Sequence, residues 1–194
     1  MTTKTRATAF AATLVPTILL ALPAAAHPGH GEGSGLAAGL LHPVTGLDHV
    51  AAMLAIGLWA AMIGGRAALA MGVTLPLGMI AGASLLAVGV GLPFVEGGIL
   101  LSLLAAGLAL SLAFRPSAIF AAALVGGFAL FHGYAHALGA PVGAPWLAYI
   151  AGFIASSVAL CAVGAVLGRL LVKPIGFRLA GAATLSVGLA LALV

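Results

Sequence analysis

Long apolar segments alternate with short polar connections along most of this chain. A helix needs about 20 apolar residues to cross a bilayer, and charges, prolines and glycine clusters divide the chain into segments of about that length. The pattern predicts membrane-spanning helices at residues 36–63, 67–91, 97–114, 117–139, 146–168 and 174–194. The connections are too short to hold a soluble domain. We therefore predict an all-α integral membrane protein with one six-helix transport domain over residues 36–194.

The N-terminus is typical of a secretory signal peptide. Lys4 and Arg6 precede a short apolar stretch, and small residues at 24–26 supply a cleavage site. We expect residues 1–26 to be removed, so that the mature chain begins outside the cytoplasm at His27. The alternative is an uncleaved first membrane helix, which would also place this point outside.

The predicted mature N-terminus carries potential metal ligands. Residues 27–35 form a periplasmic segment that contains His27, His30 and Glu32. A free amine beside a histidine can chelate a metal ion, so this segment either captures ions outside the membrane or is a tail with incidental histidines.

Composition and charge support the membrane assignment. The chain is 63% hydrophobic and 5% charged, with a mean hydropathy of +1.30, which excludes a water-soluble enzyme and a nucleic-acid-binding protein. With the mature N-terminus outside, the positive charges after the signal peptide fall on the cytoplasmic side, as the positive-inside rule requires. These charges are Arg66, Arg115, Arg169, Lys173 and Arg178.

Ionisable residues inside membrane spans are rare and usually functional. Here the acidic residues and histidines of the spans are confined to two motifs. The first span contains HPVTGLDH, with His42, Asp48 and His49, and the fourth contains FHGYAHA, with His132 and His136. The fourth-span histidines are four residues apart and therefore share a helix face. Both motifs fall in the outer half of the membrane, which predicts one site reached from outside.

The first motif also contains helix-breaking residues. Pro43 and Gly46 lie between His42 and His49, and a break there would free backbone groups and redirect side chains, as in transporters with interrupted helices. We therefore do not expect a regular helix at this point.

Imidazoles with one carboxylate favour a divalent borderline metal, namely nickel, cobalt, copper or zinc. The carboxylate offsets part of the ion's charge in a medium of low dielectric constant. Thr45 and Tyr134 are candidates to hydrogen-bond the ligands, or else to bond between helices. Met53 is either a soft ligand or, as we favour, a packing residue. A His–Asp network with a purely structural role is the alternative to a metal site.

With these motifs the whole chain resembles the HupE/UreJ family of bacterial nickel/cobalt permeases. The resemblance implies uptake of Ni²⁺ or Co²⁺, ahead of Zn²⁺ or Cu²⁺, across the inner membrane. It also implies functional roles for His42, Asp48, His49, His132 and His136. One departure is that Ala137, Leu138 and Gly139 stand where family members often carry an acid.

Other functions compete with this one. A membrane metalloenzyme would be expected to carry more histidine motifs, so we predict no enzymatic activity. Haem ligation by two histidines, and a role as an accessory subunit for metalloenzyme maturation, remain open. The chain has no GxxxxGK[ST] motif, so we expect transport without ATP hydrolysis by this protein.

The expected partners are the metal ion and the lipid bilayer. Glycine pairs such as Gly35/Gly39 and Gly78/Gly82 have the spacing that brings helices close together. They predict tight packing within the bundle, and contact between copies of the chain in a homo-oligomer is the alternative.

Overall fold

The computed structural model describes residues 35–171 and 173–193, and within them all regular structure is helical. Seven helices follow one another: α1 (Gly35–Thr45), α2 (Leu47–Ile63), α3 (Gly65–Ala87), α4 (Val95–Ser111), α5 (Ala118–Leu138), α6 (Trp146–Leu170) and α7 (Pro174–Leu191). The predicted signal peptide and the residues His27, His30 and Glu32 lie outside the described residues.

Most of these helices have the length and composition of membrane spans. Helices α3, α5, α6 and α7 each qualify alone, and α1 and α2 qualify together as one bent span. Helix α4 is apolar but has 17 residues, at the lower end of the range for a spanning helix. The all-helical membrane fold is therefore confirmed, while the count of six crossings stays a prediction.

The predicted break in the first span lies at Gly46. Helices α1 and α2 meet there at 83°, and Gly46 itself has an extended backbone conformation (φ −96°, ψ 118°). Pro43 lies in the last turn of α1, where it lacks an N–H to donate to the preceding turn. The Thr45 hydroxyl donates to the His42 carbonyl at 2.7 Å, which satisfies one of the free carbonyls at the end of α1.

Glycines let α5 and α6 approach their neighbours closely. Gly78 and Gly82 of α3 lie directly against the carbonyl oxygens of Gly126 and Leu130, so that a methyl group at either glycine would overlap the oxygen. Gly39 of α1 lies in the same way against Tyr149 of α6. These glycines therefore pack within the chain, as predicted.

The order of these contacts gives the relative directions of the helices. Residue numbers rise together along α3 and α5, and along α1–α2 and α6, so both pairs are parallel. Helices α4 and α7 are antiparallel, because Gly181 lies against Ser111 whereas Gly188 lies against Leu104. An alternating path through the membrane requires these same directions.

Charge is segregated along the bundle. The directions above place the C-terminal ends of α2, α4 and α6 and the N-terminal ends of α3 and α7 at one end of the molecule. All the arginine and lysine residues of the described part lie at or within about one turn of these ends. The break at Gly46 and the start of α4 lie toward the other end, where the candidate site is found.

Candidate metal centre

Three of the predicted histidines meet inside the bundle. His49 comes from the first turn of α2, and His132 and His136 come from successive turns of α5. The Nδ1 atom of His49 lies 3.2 Å from Nδ1 of His132 and 2.7 Å from Nε2 of His136. The spacing of four residues on α5 therefore directs both rings to one partner, His49, on α2.

The separations are compatible with a metal-binding group. One nitrogen from each ring lies within 4.8 Å of the other two. Two imidazole nitrogens bound at about 2.1 Å to one ion lie about 3–3.5 Å apart, so the pair formed by His49 and His132 already has a suitable spacing. His49 and His132 are only 2% and 1% exposed, and an ion held between them would have lost most of its water.

The rings are held from several sides. His49 Nε2 lies 2.9 Å from the hydroxyl of Ser157 on α6, and His132 Nε2 lies 2.9 Å from the hydroxyl of Ser102 on α4. The ring of His136 stacks on Phe153 of α6, with centroids 5.4 Å apart and planes inclined by 26°. Four helices therefore fix the orientation of three imidazoles.

A cavity of about 290 Å³ opens beside the cluster. Asp48 and Glu96 line it together with the three histidines, and they are the only acidic residues in the described part of the chain. Both carboxylates also line a neighbouring cavity between α4 and α7. Negative charge is thus concentrated where a cation would enter, at the end of the bundle away from the basic residues.

His42 lies at the edge of the cluster. Its ring contacts that of His136 edge-on at a centroid distance of 5.0 Å, and it lines the same cavity. It does not belong to the group of three whose nitrogens converge. Because the chain turns at Gly46, His42 and His49 do not share one helix face, and the seven-residue spacing does not set their separation.

The residues predicted to support the ligands lie in different surroundings. Thr45 lines the cavity and bonds to its own helix. Tyr134 is buried on α5 and is not among the residues that line the cavity. Met53 is completely buried, and its sulfur accepts from the thiol of Cys161 at 3.7 Å, which is the packing role that we favoured.

Sequence reasoning missed four residues of this site: Ser102, Ser157, Phe153 and Glu96. Ser102 and Ser157 lie in apolar spans, where a hydroxyl usually bonds its own backbone, so little in the sequence indicates that they contact the histidines. Glu96 lies in the first turn of α4 and lines the same cavity as Asp48.

The fold and the site together define a multi-pass helical membrane protein with a buried histidine cluster suited to a transition-metal ion. Comparison with known proteins gives the family: residues 15–191 match the model of the HupE / UreJ protein family, and the chain belongs to it. The chain is 38% identical over 176 residues to "Protein HupE" of Rhizobium leguminosarum bv. viciae, covering 89% of this chain and 92% of that protein. No solved structure matches it.

Membership of this family agrees with the prediction that the chain has no enzymatic activity, because this is not a family of enzymes. The HupE/UreJ proteins are a transporter and accessory family linked to the uptake of transition metals. The resemblance stated from the two histidine motifs is thereby confirmed.

Proposed function

We propose that this protein is a secondary permease that carries nickel or cobalt into the cell across the bacterial inner membrane. The observation that carries the proposal is the convergence of three imidazole nitrogens beside a cavity lined by Asp48 and Glu96. His42 and Asp48 complete the proposed ion site, together with His49, His132 and His136. His27, His30 and Glu32 remain candidates for capture of the ion outside.

The arrangement supports a path in two stages. A hydrated cation is attracted by the carboxylates of Asp48 and Glu96, which lower the cost of bringing a divalent charge into a medium of low dielectric constant. The imidazoles then replace part of its hydration shell. Three neutral nitrogen ligands suit a borderline ion, and the ion must also leave, so binding has to remain moderate.

Uptake by the purified protein in liposomes tests this function. We expect entry of Ni²⁺ or Co²⁺ into vesicles that contain the protein and no ATP, with Zn²⁺ as a competitor and with and without a pH gradient. Uptake by the protein alone separates a permease from an accessory subunit. Vesicles that accumulate none of the three ions would rule out transport by this chain.

Substitutions in the cluster test the ion site. We expect His132→Ala and Asp48→Asn each to abolish accumulation, because the first removes a ligand and the second removes a charge that offsets the ion's. The protein should remain in the membrane in both cases. Ser186→Ala is a suitable control, since this exposed hydroxyl only bonds the Ala182 carbonyl of its own helix. Unchanged uptake in both site variants would show that these residues are wrongly assigned.

A further inference from the structure

Ser102 and Ser157 each contact a carbonyl and a histidine at the same time. The Ser157 hydroxyl lies 2.7 Å from the carbonyl oxygen of Phe153 and 2.9 Å from Nε2 of His49. The Ser102 hydroxyl lies 2.6 Å from the carbonyl oxygen of Ile99 and 2.9 Å from Nε2 of the second ring, His132. Both serines are buried.

The donor count assigns the protons. A hydroxyl has one hydrogen to donate, and a carbonyl can only accept. Each serine therefore donates to the carbonyl of its own helix and must accept from the histidine. Nε2 of His49 and Nε2 of His132 are then the protonated nitrogens, and Nδ1 of each neutral ring carries the lone pair.

The rest of the cluster agrees with this assignment. His49 Nδ1 can accept from Nε2 of His136 at 2.7 Å, which leaves Nδ1 of His136 without a proton. That atom is buried and has no hydrogen-bond partner among the described residues. The Nδ1 atoms of His49 and His132 meanwhile face each other at 3.2 Å without a hydrogen between them, an arrangement that a cation would stabilise.

We propose that Ser102 and Ser157 are positioning residues that fix the tautomers of His132 and His49, so that both rings present Nδ1 to the transported ion. The inference rests on the proposed function, because it concerns how that site is prepared. A metal-binding histidine commonly has its other nitrogen held by an acceptor that sets the tautomer. Here the acceptor is a serine hydroxyl, and the backbone carbonyl of α4 or α6 fixes its direction by accepting its hydrogen.

The first test is the protonation pattern of the rings in the metal-free protein. Nitrogen-15 NMR of histidine-labelled wild-type protein, assigned with single histidine variants, reports which nitrogen of each ring carries the proton. We expect the proton on Nε2 of both His49 and His132 at neutral pH. A proton on Nδ1 of either ring would overturn the inference, and this measurement needs no variant at the serine positions.

The second test removes the hydroxyls. In Ser102→Ala and Ser157→Ala we expect the affected ring to become a mixture of tautomers and Ni²⁺ affinity of the purified protein to fall about 10- to 100-fold. Threonine should restore both the tautomer and the Ni²⁺ affinity, because Thr74 and Thr184 of this chain, like the two serines, donate to a carbonyl of the preceding helical turn. Ser156→Ala is the matched control, because it removes a neighbouring hydroxyl on α6 that bonds none of the described histidines.

The outcomes separate this inference from the function on which it rests. Unchanged tautomers and unchanged Ni²⁺ affinity in both alanine variants would overturn the inference and leave transport intact. A wild-type protein with the expected tautomers that binds neither Ni²⁺ nor Co²⁺ would overturn the proposed function, and with it any role of the serines in preparing an ion site.

Discussion

His49 is the residue on which the cluster depends. Its ring contacts both α5 histidines, with centroid distances of 5.1 Å to His132 and 4.3 Å to His136. It also bonds to Ser157 of α6. Removal of this ring would take away the nitrogen that both α5 rings approach, whereas the ring of His42 contacts that of His136 at the edge of the cluster.

The surroundings of Met53 predict that its sulfur is not a ligand. We expect Met53→Leu to keep Ni²⁺ affinity within about twofold of wild type, because a volume-conserving change in a packed core is usually tolerated and the sulfur faces Cys161. Titration of purified protein with Ni²⁺ measures the effect. A loss as large as that of His49→Ala would instead place the sulfur on the ion.

Sequence spacing predicted the shared face of His132 and His136, but it could not predict the contacts of the two serines with the rings. The separation of His132 from His136 fixes their shared face, since both lie on one uninterrupted helix. Ser102 and Ser157 were beyond reach, because a serine in an apolar helix usually bonds its own backbone. Which ring it also meets depends on how separate helices pack.

At the scale of elements, the break at Gly46 brings two helix ends to the cavity. The last carbonyls of α1 accept no backbone N–H from that helix and favour a cation, whereas the first N–H groups of α2 disfavour one. Asp48 lies in the first turn of α2, where its negative charge offsets the partial positive charge at the N-terminal end of the helix. The N-terminal end of α2 therefore does not repel a divalent ion in the cavity.

The close contact between α3 and α5 predicts a measurable difference between two glycines of α3. We expect Gly82→Ala to destabilise the protein by about 1–3 kcal/mol, because the added methyl would overlap the Leu130 carbonyl. Gly72→Ala should have no destabilising effect, since nothing lies within 4 Å of the added atom. Thermal unfolding in detergent compares the two.

The oligomeric state of the two variants provides a further check. Equal destabilisation by both substitutions would contradict the packing described here. A change from oligomer to monomer in Gly82→Ala, without loss of helix packing, would indicate that this glycine face lies between copies of the chain.

The helices themselves were largely predictable. Apolar length places each helix to within a few residues, and the prolines and glycines mark the breaks. The pairing of helices was not predictable. Helix α3 packs against α5, and α2 packs against α6, at glycines whose contact partners are distant in sequence.

At the scale of the whole molecule, the histidine cluster lies between two helix pairs. His49 belongs to the pair α2–α6, and His132 and His136 belong to the pair α3–α5. An ion bound to all three rings would connect the two pairs across an interface that otherwise has few direct contacts between α5 and α6.

This position predicts that the ion stabilises the fold. A ligand at a hundred times its dissociation constant adds about 2.7 kcal/mol to the stability of the state that binds it. We expect Ni²⁺ to raise the midpoint of thermal unfolding of the wild-type protein in detergent and to have no such effect on His132→Ala. An equal rise in both proteins would mean that the stabilising ion binds elsewhere.

The single unbroken helix α6 restrains the two limbs that meet at Gly46. Gly152 packs against the backbone of α1, and Gly164 packs against the backbone of α2. Helix α6 therefore contacts both helices that meet at the break. These contacts restrain the angle between α1 and α2, so the break at Gly46 does not act as a free hinge. Under the proposed function, a movement of α5 away from α1, α2 and α6 would separate His132 and His136 from His49, and an ion would then no longer be bound by all three rings.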